Sequence, residues 1–400
     1  MTIQNTNVPA LRFSEFTEDL KESNLGQIAN FTKGKGISKF DVDGNGKFEC
    51  IRYGELYTHY GETIQNIKSK TNLGENELVF SEYNDVIIPA SGETQIDIAT
   101  ASCILKSGVA LGGDLNIIKT KLNGVFLSYY LNNRKKKDIA SLAQGSSVVH
   151  LYANQLKTLQ LNLPTLPEQQ KIAGFLTTVD EKIQQLAKKK DLLKQYKKSM
   201  MQKIFNREIH FKDDNGNDFA DWEEKRFGDV ITNKSEKYNP EKDKTNYKCI
   251  ELEHLASETP SLLGFTDSKN SGSIKNKFDK GDVLFGKLRP YLKKYLLAPF
   301  DGVCSSEIWV LKGKDILNNY LFQLIQTDDF ISLANQSTGS KMPRADWNVI
   351  SASLLEVPSK SEQNKIAYFL SAIDDKINFV NKQSEKMKEY KKGLLQQMFI

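Results

Sequence analysis

The side chains best suited to chemistry in this chain are cations set among aromatics and hydroxyls in short loops. One run, Lys287-Leu288-Arg289-Pro290-Tyr291-Leu292-Lys293-Lys294, is followed by Ser305-Ser306-Glu307 and by Ser340-Lys341-Met342-Pro343-Arg344. An earlier stretch carries Lys33, Lys35 and Lys39, then Arg52-Tyr53-Gly54-Glu55-Leu56-Tyr57, Ser91-Gly92-Glu93-Thr94 and Ser146-Ser147. Arginine can pair bidentately with guanine edges, glutamate can accept from cytosine N4, and lysines and hydroxyls hold phosphates. Each loop alone reads more readily as plain surface, and their recurrence in both halves of the chain favours nucleic-acid contact. Lys33, Lys35, Arg52, Tyr53, Tyr57, Ser91 and Ser146 are expected to form one contact surface. Lys287, Arg289, Tyr291, Lys293, Ser305, Ser340, Lys341 and Arg344 are expected to form another. Arg52 and Tyr53 on the first, and Arg289 and Arg344 on the second, would read bases, whereas Lys293 would hold phosphate.

Other chemistries find less support. Asp41-Val42-Asp43-Gly44-Asn45-Gly46 opens like a calcium loop, but its twelfth position is Arg52, where a bidentate carboxylate is needed. A tight polar loop is the expectation there. Lys33-Gly34-Lys35-Gly36 lacks the third glycine of a dinucleotide loop, and Gly44-Asn45-Gly46-Lys47-Phe48 lacks the spacing and hydroxyl of a phosphate loop. His59, His150, His210 and His254 are isolated in sequence, so no nucleophile–base pair or metal cluster can be assembled locally. Nor is there an Asn/Asp-Pro-Pro-aromatic run of the kind used by amino-methyltransferases. No active site and no metal site is expected. The four cysteines, Cys50, Cys103, Cys249 and Cys304, form no C-x-x-C pair. Cys50 and Cys249 occupy matching places in the two halves, which suits buried apolar residues better than disulfide partners.

The elements that must hold these loops are written twice. Pro164, Glu168, Gln169, Lys171, Ile172, Ala173, Phe175 and Leu176 return 194 positions later as Pro358, Glu362, Gln363, Lys365, Ile366, Ala367, Phe369 and Leu370. The copy continues without a gap through Asp180/Asp374, Lys182/Lys376 and Ile183/Ile377 to Phe205/Phe399, with about 18 identities in about 42 columns. Apolar residues follow a 4-3-4-3 progression in both copies: Ile172, Leu176, Val179, Ile183, Leu186, and Ile366, Leu370, Ile373, Ile377, Val380. The seam is interrupted at the same places, by Lys190 and Lys197 in one copy and by Ser384 and Lys391 in the other. Two helices of about 40 residues, about 60 Å long, are predicted, packed antiparallel as a coiled coil. The stretches before them read as mixed α+β units. Apolar runs at Leu78–Phe80, Val86–Pro89, Val283–Phe285 and Ile308–Leu311 predict strands, and one helix is predicted near 123–133 and one near 318–327. The segments are 1–163, a helix at 164–210, 211–357, and a helix at 358–400.

Composition adds limits. Fifty-five basic against 50 acidic residues leave a net charge of +5, which suits nucleic acid without requiring it. Neither a signal sequence nor a membrane-spanning apolar run is visible, so a cytoplasmic protein with no membrane partner is expected.

With both copies in view, the chain resembles the specificity subunit of a type I restriction–modification system. The segments that carry the likeness are Leu163-Pro164 through Ile183 and Val357-Pro358 through Ile377, with Gly145-Ser146, Gly339-Ser340 and Gly281 to Pro290 ahead of them. The resemblance implies two target-recognition domains in tandem, joined by two conserved helices with pseudo-two-fold symmetry. Each domain would read one half of a split, asymmetric site on double-stranded DNA. It also implies no catalysis in this chain. Two methyltransferase subunits would bring S-adenosylmethionine, and restriction/translocase subunits would use ATP and magnesium. Glu168, Gln169, Lys171, Asp180 and Lys182, with Glu362, Gln363, Lys365, Asp374 and Lys376, are kept in both copies although they lie outside the apolar seam. They are expected to form one partner-binding surface used twice, by two identical methyltransferase subunits. A coiled-coil scaffold that binds only proteins, and a stand-alone enzyme, remain as alternatives.

Overall fold

The computed structural model describes residues 8–145, 147–270, 272–336 and 342–399. The chain forms two compact units, Met1–Ala187 with Lys382–Ile400, and Lys188–Asn381. Two long helices, Leu166–Phe205 and Lys360–Met398, are each shared between the units, because each end of a helix buries its apolar stripe in a different core. The sequence-based segments keep each helix whole, so their boundaries differ from those of the compact units.

In the first unit, Ile172, Leu176 and Val179 lie in one core with Leu394, Met398 and Phe399. In the second, Met201 and Ile204 lie in one core with Ile366, Leu370 and Ile373. Burying a side chain of this size contributes about 1.5–3 kcal/mol. The helices run antiparallel within each unit. In the second, Lys190 Nζ donates to Asn381 at 2.6 Å and Lys197 Nζ donates to Asp374 at 2.7 Å, so a step forward along one helix is a step back along the other. The lysines that interrupt the apolar seam are thus held by polar partners.

The kept polar residues also work inside the chain. Arg12 donates to both carboxylate oxygens of Glu168 at 2.8 Å. Gln169 Nε2 donates to Pro164 O at 2.9 Å while its Oε1 accepts from the Asn123 N–H at 3.1 Å. Lys171 pairs with Glu15. Asp180 accepts from Tyr129 Oη at 2.5 Å and from Lys391 at 2.8 Å. The second unit repeats the plan. Trp222 Nε1 donates to Glu362 at 3.0 Å, and Gln363 donates to Pro358 O and accepts from the Leu317 N–H at 2.9 and 2.8 Å. Lys365 donates to Asp214 at 2.7 Å. The expected partner surface is therefore corrected at its buried members. Glu168, Gln169, Glu362 and Gln363 are at most 4% exposed and cannot face a partner. Lys365, Asp180 and Asp374 are engaged within the chain, whereas Lys171, though paired with Glu15, is exposed, as are Lys182 and Lys376. Glu168, Gln169 and Lys171, with Glu362, Gln363 and Lys365, tie each helix start to the segment ahead of it, and Asp180 and Asp374 tie one long helix to the other.

The main sheets correspond strand for strand. In the first unit the order is Ala29–Lys33, Leu115–Thr120, Val86–Pro89, Ser102–Ile104, with Thr63–Ile64 added at the far edge. In the second it is Ile231–Thr232, Ile308–Gly313, Val283–Gly286, Tyr295–Leu297. Each unit also has one parallel pair outside this order, Phe48–Ile51 with Ala110–Leu111 and Lys248–Ile250 with Gly302–Cys304. Cys50 and Cys249 sit at matching places in these pairs, and all four cysteines are free and buried. Burial pushes the Cys50 and Cys249 thiols up to about 11.

Helix Gly124–Asn133, predicted near 123–133, starts where Asn123 accepts from the Phe126 N–H. The second unit's counterpart ends earlier than expected, at Leu324. Each is followed by a further helix, Lys136–Leu142 or Asp328–Ala334, which the sequence reading did not anticipate. The Leu78–Phe80 run forms only a single bridge, Phe80 to Ala110.

Candidate nucleic-acid interface

Both units build the same corner at the end of a central strand. In the second unit the chain leaves Val283–Gly286 and turns through 287–294. The Lys287 N–H donates to Glu307 O at 2.9 Å, the Ala345 N–H donates to Lys287 O at 2.9 Å, and the Arg289 N–H donates to Pro343 O at 2.8 Å. Leu288 and Arg344 form an antiparallel bridge. Three runs far apart in sequence are thus brought side by side, and with them Lys287, Arg289, Ser305 and Arg344. Arg289 and Lys293 flank the single turn Pro290–Leu292, and both have left-handed backbones, at φ +53° and +49°. Such conformations cost about 1–3 kcal/mol in non-glycine residues and cluster where function demands them. Arg289 is exposed, and Tyr291 is 51% exposed.

Charge on this corner is partly committed. Arg344 Nε and Nη2 donate to the Glu307 carboxylate at 3.1 and 3.4 Å. Lys293 Nζ donates to Asp328 at 3.1 Å and holds that carboxyl below its usual range. The Ser305 N–H donates to Ile250 O at 2.9 Å. Ser340 and Lys341 lie outside the described residues.

In the first unit the Ala90 N–H donates to Asp114 O at 2.8 Å and the Leu151 N–H donates to Ala90 O at 3.0 Å. Ser91 pairs with His150 through the backbone. Ser91 is only 6% exposed, so it contributes to this pairing and offers no free hydroxyl, a correction to its expected role. Lys33 and Lys35 flank Gly34, where a Cβ would stand 2.0 Å from Gly112 O. Only glycine permits that approach, which seats the Lys33–Lys35 turn on Gly112. The Gly112 N–H in turn donates to Ile51 O at 2.9 Å, beside Arg52.

Lys33 Nζ lies 5.8 Å from the centroid of the Tyr152 ring, and Lys35 Nζ donates to Asn76 O at 3.2 Å. Arg52 leans on Glu55, with Nη2 3.6 Å from its carboxylate, and its buried Nε has no partner in the chain. The guanidinium expected to extend toward bases is thus held at the start of helix Tyr53–Thr58. Tyr53 is 36% exposed. On the next turn the Tyr57 phenol is pushed up, first by burial and then by Tyr53, Glu93 and Asp97. Ser146 lies outside the described residues.

Sequence reasoning missed His150, Tyr152 and Asp114. His150 looked isolated, yet it is exposed at the corner and stacks on Tyr152, with ring centroids 6.2 Å apart and planes at 19°. A signal was present: the 194-residue offset of the helix repeat, carried upstream, sets His150 against Arg344.

The calcium-like loop is a polar turn. Asp43 accepts from the Asn45 N–H at 2.9 Å and from Asn72 Nδ2 at 2.8 Å. Among the described residues there is no group of three or more His, Cys, Asp or Glu placed to hold a metal, and no helix long and apolar enough to cross a membrane.

Comparison with known proteins adds independent findings. The family described as the type I restriction modification DNA specificity domain matches this chain twice, over residues 17–195 and 220–389. The type I restriction enzyme EcoDI specificity subunit of Escherichia coli is 24% identical over 280 residues, covering 62% of this chain and 62% of its own length. The MjaVIII specificity subunit of Methanocaldococcus jannaschii is 23% identical over 405 residues, covering 94% of this chain and 91% of its own. Among solved structures, the type I restriction–modification S subunit from M. genitalium aligns with a TM-score of 0.63 at 15% identity, over 98% of this chain and 99% of that one. A chain from the structure addressing complex assembly and conformational transition of the type I R-M system aligns at 0.54 with 14% identity, over 97% and 99%. At these identities the two structures speak to the fold alone.

Proposed function

This chain belongs to the type I restriction–modification DNA specificity family, and we propose that it reads a bipartite, asymmetric DNA site, one half with each unit. The observation that carries this reading is the repeated corner: one backbone frame, built twice, presents different charged and aromatic side chains. A common scaffold with divergent edges is what two unlike half-sites require. In the second unit Arg289, Tyr291, Lys287 and Arg344 are the candidate contacts. In the first they are Tyr53, Tyr57, Lys33 and Lys35, with Arg52 contributing only if DNA draws it from Glu55. Lysines such as Lys293 would hold phosphate, and their loss would weaken binding evenly while making its salt dependence shallower.

Catalysis is assigned to partners: two methyltransferase subunits with S-adenosylmethionine, and restriction/translocase subunits with ATP and magnesium, in the cytoplasm. The outer faces of the long helices are the proposed docking surface. Of the kept polar residues, the exposed Lys171, Lys182 and Lys376 are the proposed contributors, since Glu168, Gln169, Glu362 and Gln363 are buried. A protein-only scaffold would account for the helices but leaves the paired corners without a role.

The test is the host methylome with and without this chain. A split motif with two unlike halves should be methylated only when the chain is present. Methylation of an unchanged motif in its absence would refute the reading.

A further inference from the structure

The repeated corner supplies a residue-by-residue register between two units whose sequences there no longer align. Lys287 and Ala90 occupy the same place, each donating its N–H to the residue just before a central strand and accepting from the residue two positions before the start of a short helix. Asp114 therefore stands where Glu307 stands, and His150 where Arg344 stands. Each position carries an acid in both units, or a nitrogen donor in both units, yet the residue differs each time.

We propose that these two positions form a specificity-determining couple in each unit. Glu307 with Arg344 reads one base pair of the second half-site, and Asp114 with His150 reads the corresponding base pair of the first. The proposal rests on the reading that the chain recognises duplex DNA. A guanidinium fork matches O6 and N7 of guanine, and a carboxylate accepts from cytosine N4. Glu307 and Arg344, already in contact, are the two halves of a G·C reader. Without DNA they satisfy each other, and at a G·C pair each exchanges its partner for a base edge. Arg344 has the freedom to move, since its side chain is 51% exposed.

The first unit's couple is weaker by the same chemistry. An imidazole presents one ring N–H at a time toward a base edge, which suits the N7 shared by guanine and adenine. His150 is exposed and backed by Tyr152, with Lys33 near that ring, so the imidazole is supported from behind while its edge stays open. The first half-site should accept either purine where the second demands guanine.

The experiment transplants one couple into the other unit. The full chain carrying D114E and H150R, assembled with its methyltransferase, is challenged with a DNA library randomised across both half-sites. One position of the first half-site should narrow from either purine to guanine, with discrimination against adenine rising about 5- to 150-fold. The second half-site should keep its wild-type bases. An unchanged motif, or a change in the other half, would overturn the proposal. If the double variant does not assemble, R344A in the second unit is decisive: one position of the second half-site should lose its guanine preference, and retained preference refutes the couple. A wild-type complex with no sequence preference would instead sink the underlying reading, so the two failures are distinguishable.

Discussion

Two lysines that occupy the same place in the repeated helices live in different surroundings. Lys197 in the second unit meets Asp374 and Gln326, with Gln323 also donating to that carboxylate. Lys391 in the first unit meets Asp180 and Glu62, and Tyr129 also donates to Asp180. The cation and its first carboxylate are unchanged, while the outer partners are amides in one unit and a phenol with a second acid in the other. Burial, opposed by Asp374, lowers the Lys197 pKa, and burial followed by Asp180 raises that of Tyr129. Glu168 and Glu362 differ in the same way, one held by the Arg12 guanidinium and the other by the Trp222 indole. What the chain keeps is the direct tie between helices, and what drifts is the means of satisfying it. At the corners the reverse holds: the backbone frame is kept and the outward side chains change.

Removing the shared carboxylate should have the largest effect and should separate the units. Asp374→Ala leaves a lysine whose side chain is 9% exposed with only the neutral Gln326 amide, and loss of one member of a buried pair costs about 3–5 kcal/mol. Asp180→Ala should cost less, about 1.5–3 kcal/mol, because Lys391 keeps Glu62 at 3.2 Å. Urea unfolding of the two variants measures the gap, and equal losses would break the comparison.

The two glutamates sharpen it next. Glu168→Gln removes the charge that Arg12 needs and should cost about 3 kcal/mol. Glu362→Gln should be neutral or stabilising at pH 7, because burial raises the Glu362 pKa above 4.5 and its indole donor only partly offsets this. The sign follows from proton binding. The folded state takes up this proton before the unfolded state does, so stability falls as pH rises from 4.5 through the raised value. That slope should vanish in Glu362→Gln, as followed by unfolding from pH 4 to 7. Persistence of the slope would assign it elsewhere.

A smaller and symmetric effect is expected from Gln169→Ala and Gln363→Ala. Each leaves one buried carbonyl and one backbone N–H without its partner, for about 1–3 kcal/mol. Thermal melts of the two variants should shift alike, and a shift in only one would mean the clasp is not shared.

The long helices were legible because an apolar stripe of constant period is a local signal, and the central strands at Val86–Pro89 and Val283–Gly286 announced themselves as apolar runs. The corners were not legible in the same way. Ser91 and His150 pair across a long stretch of chain, so a histidine without sequence neighbours looked isolated. The buried members of the kept polar set, Glu168, Gln169, Glu362 and Gln363, were misread for the same reason. Glu168 is covered by Arg12 and Glu362 by Trp222, and neither partner is near in sequence. Recurrence showed that these residues mattered but could not say whether their partner was another protein or this chain.

The most direct test of two units reading two half-sites is the motif methylated by complexes carrying Arg289→Ala with Arg344→Ala, compared with Lys33→Ala with Tyr53→Ala. The first pair should relax bases in one half of the split motif and the second pair bases in the other half, each leaving the opposite half as in the wild type. Changes from both pairs falling in the same half, or spread evenly over both, would contradict the account.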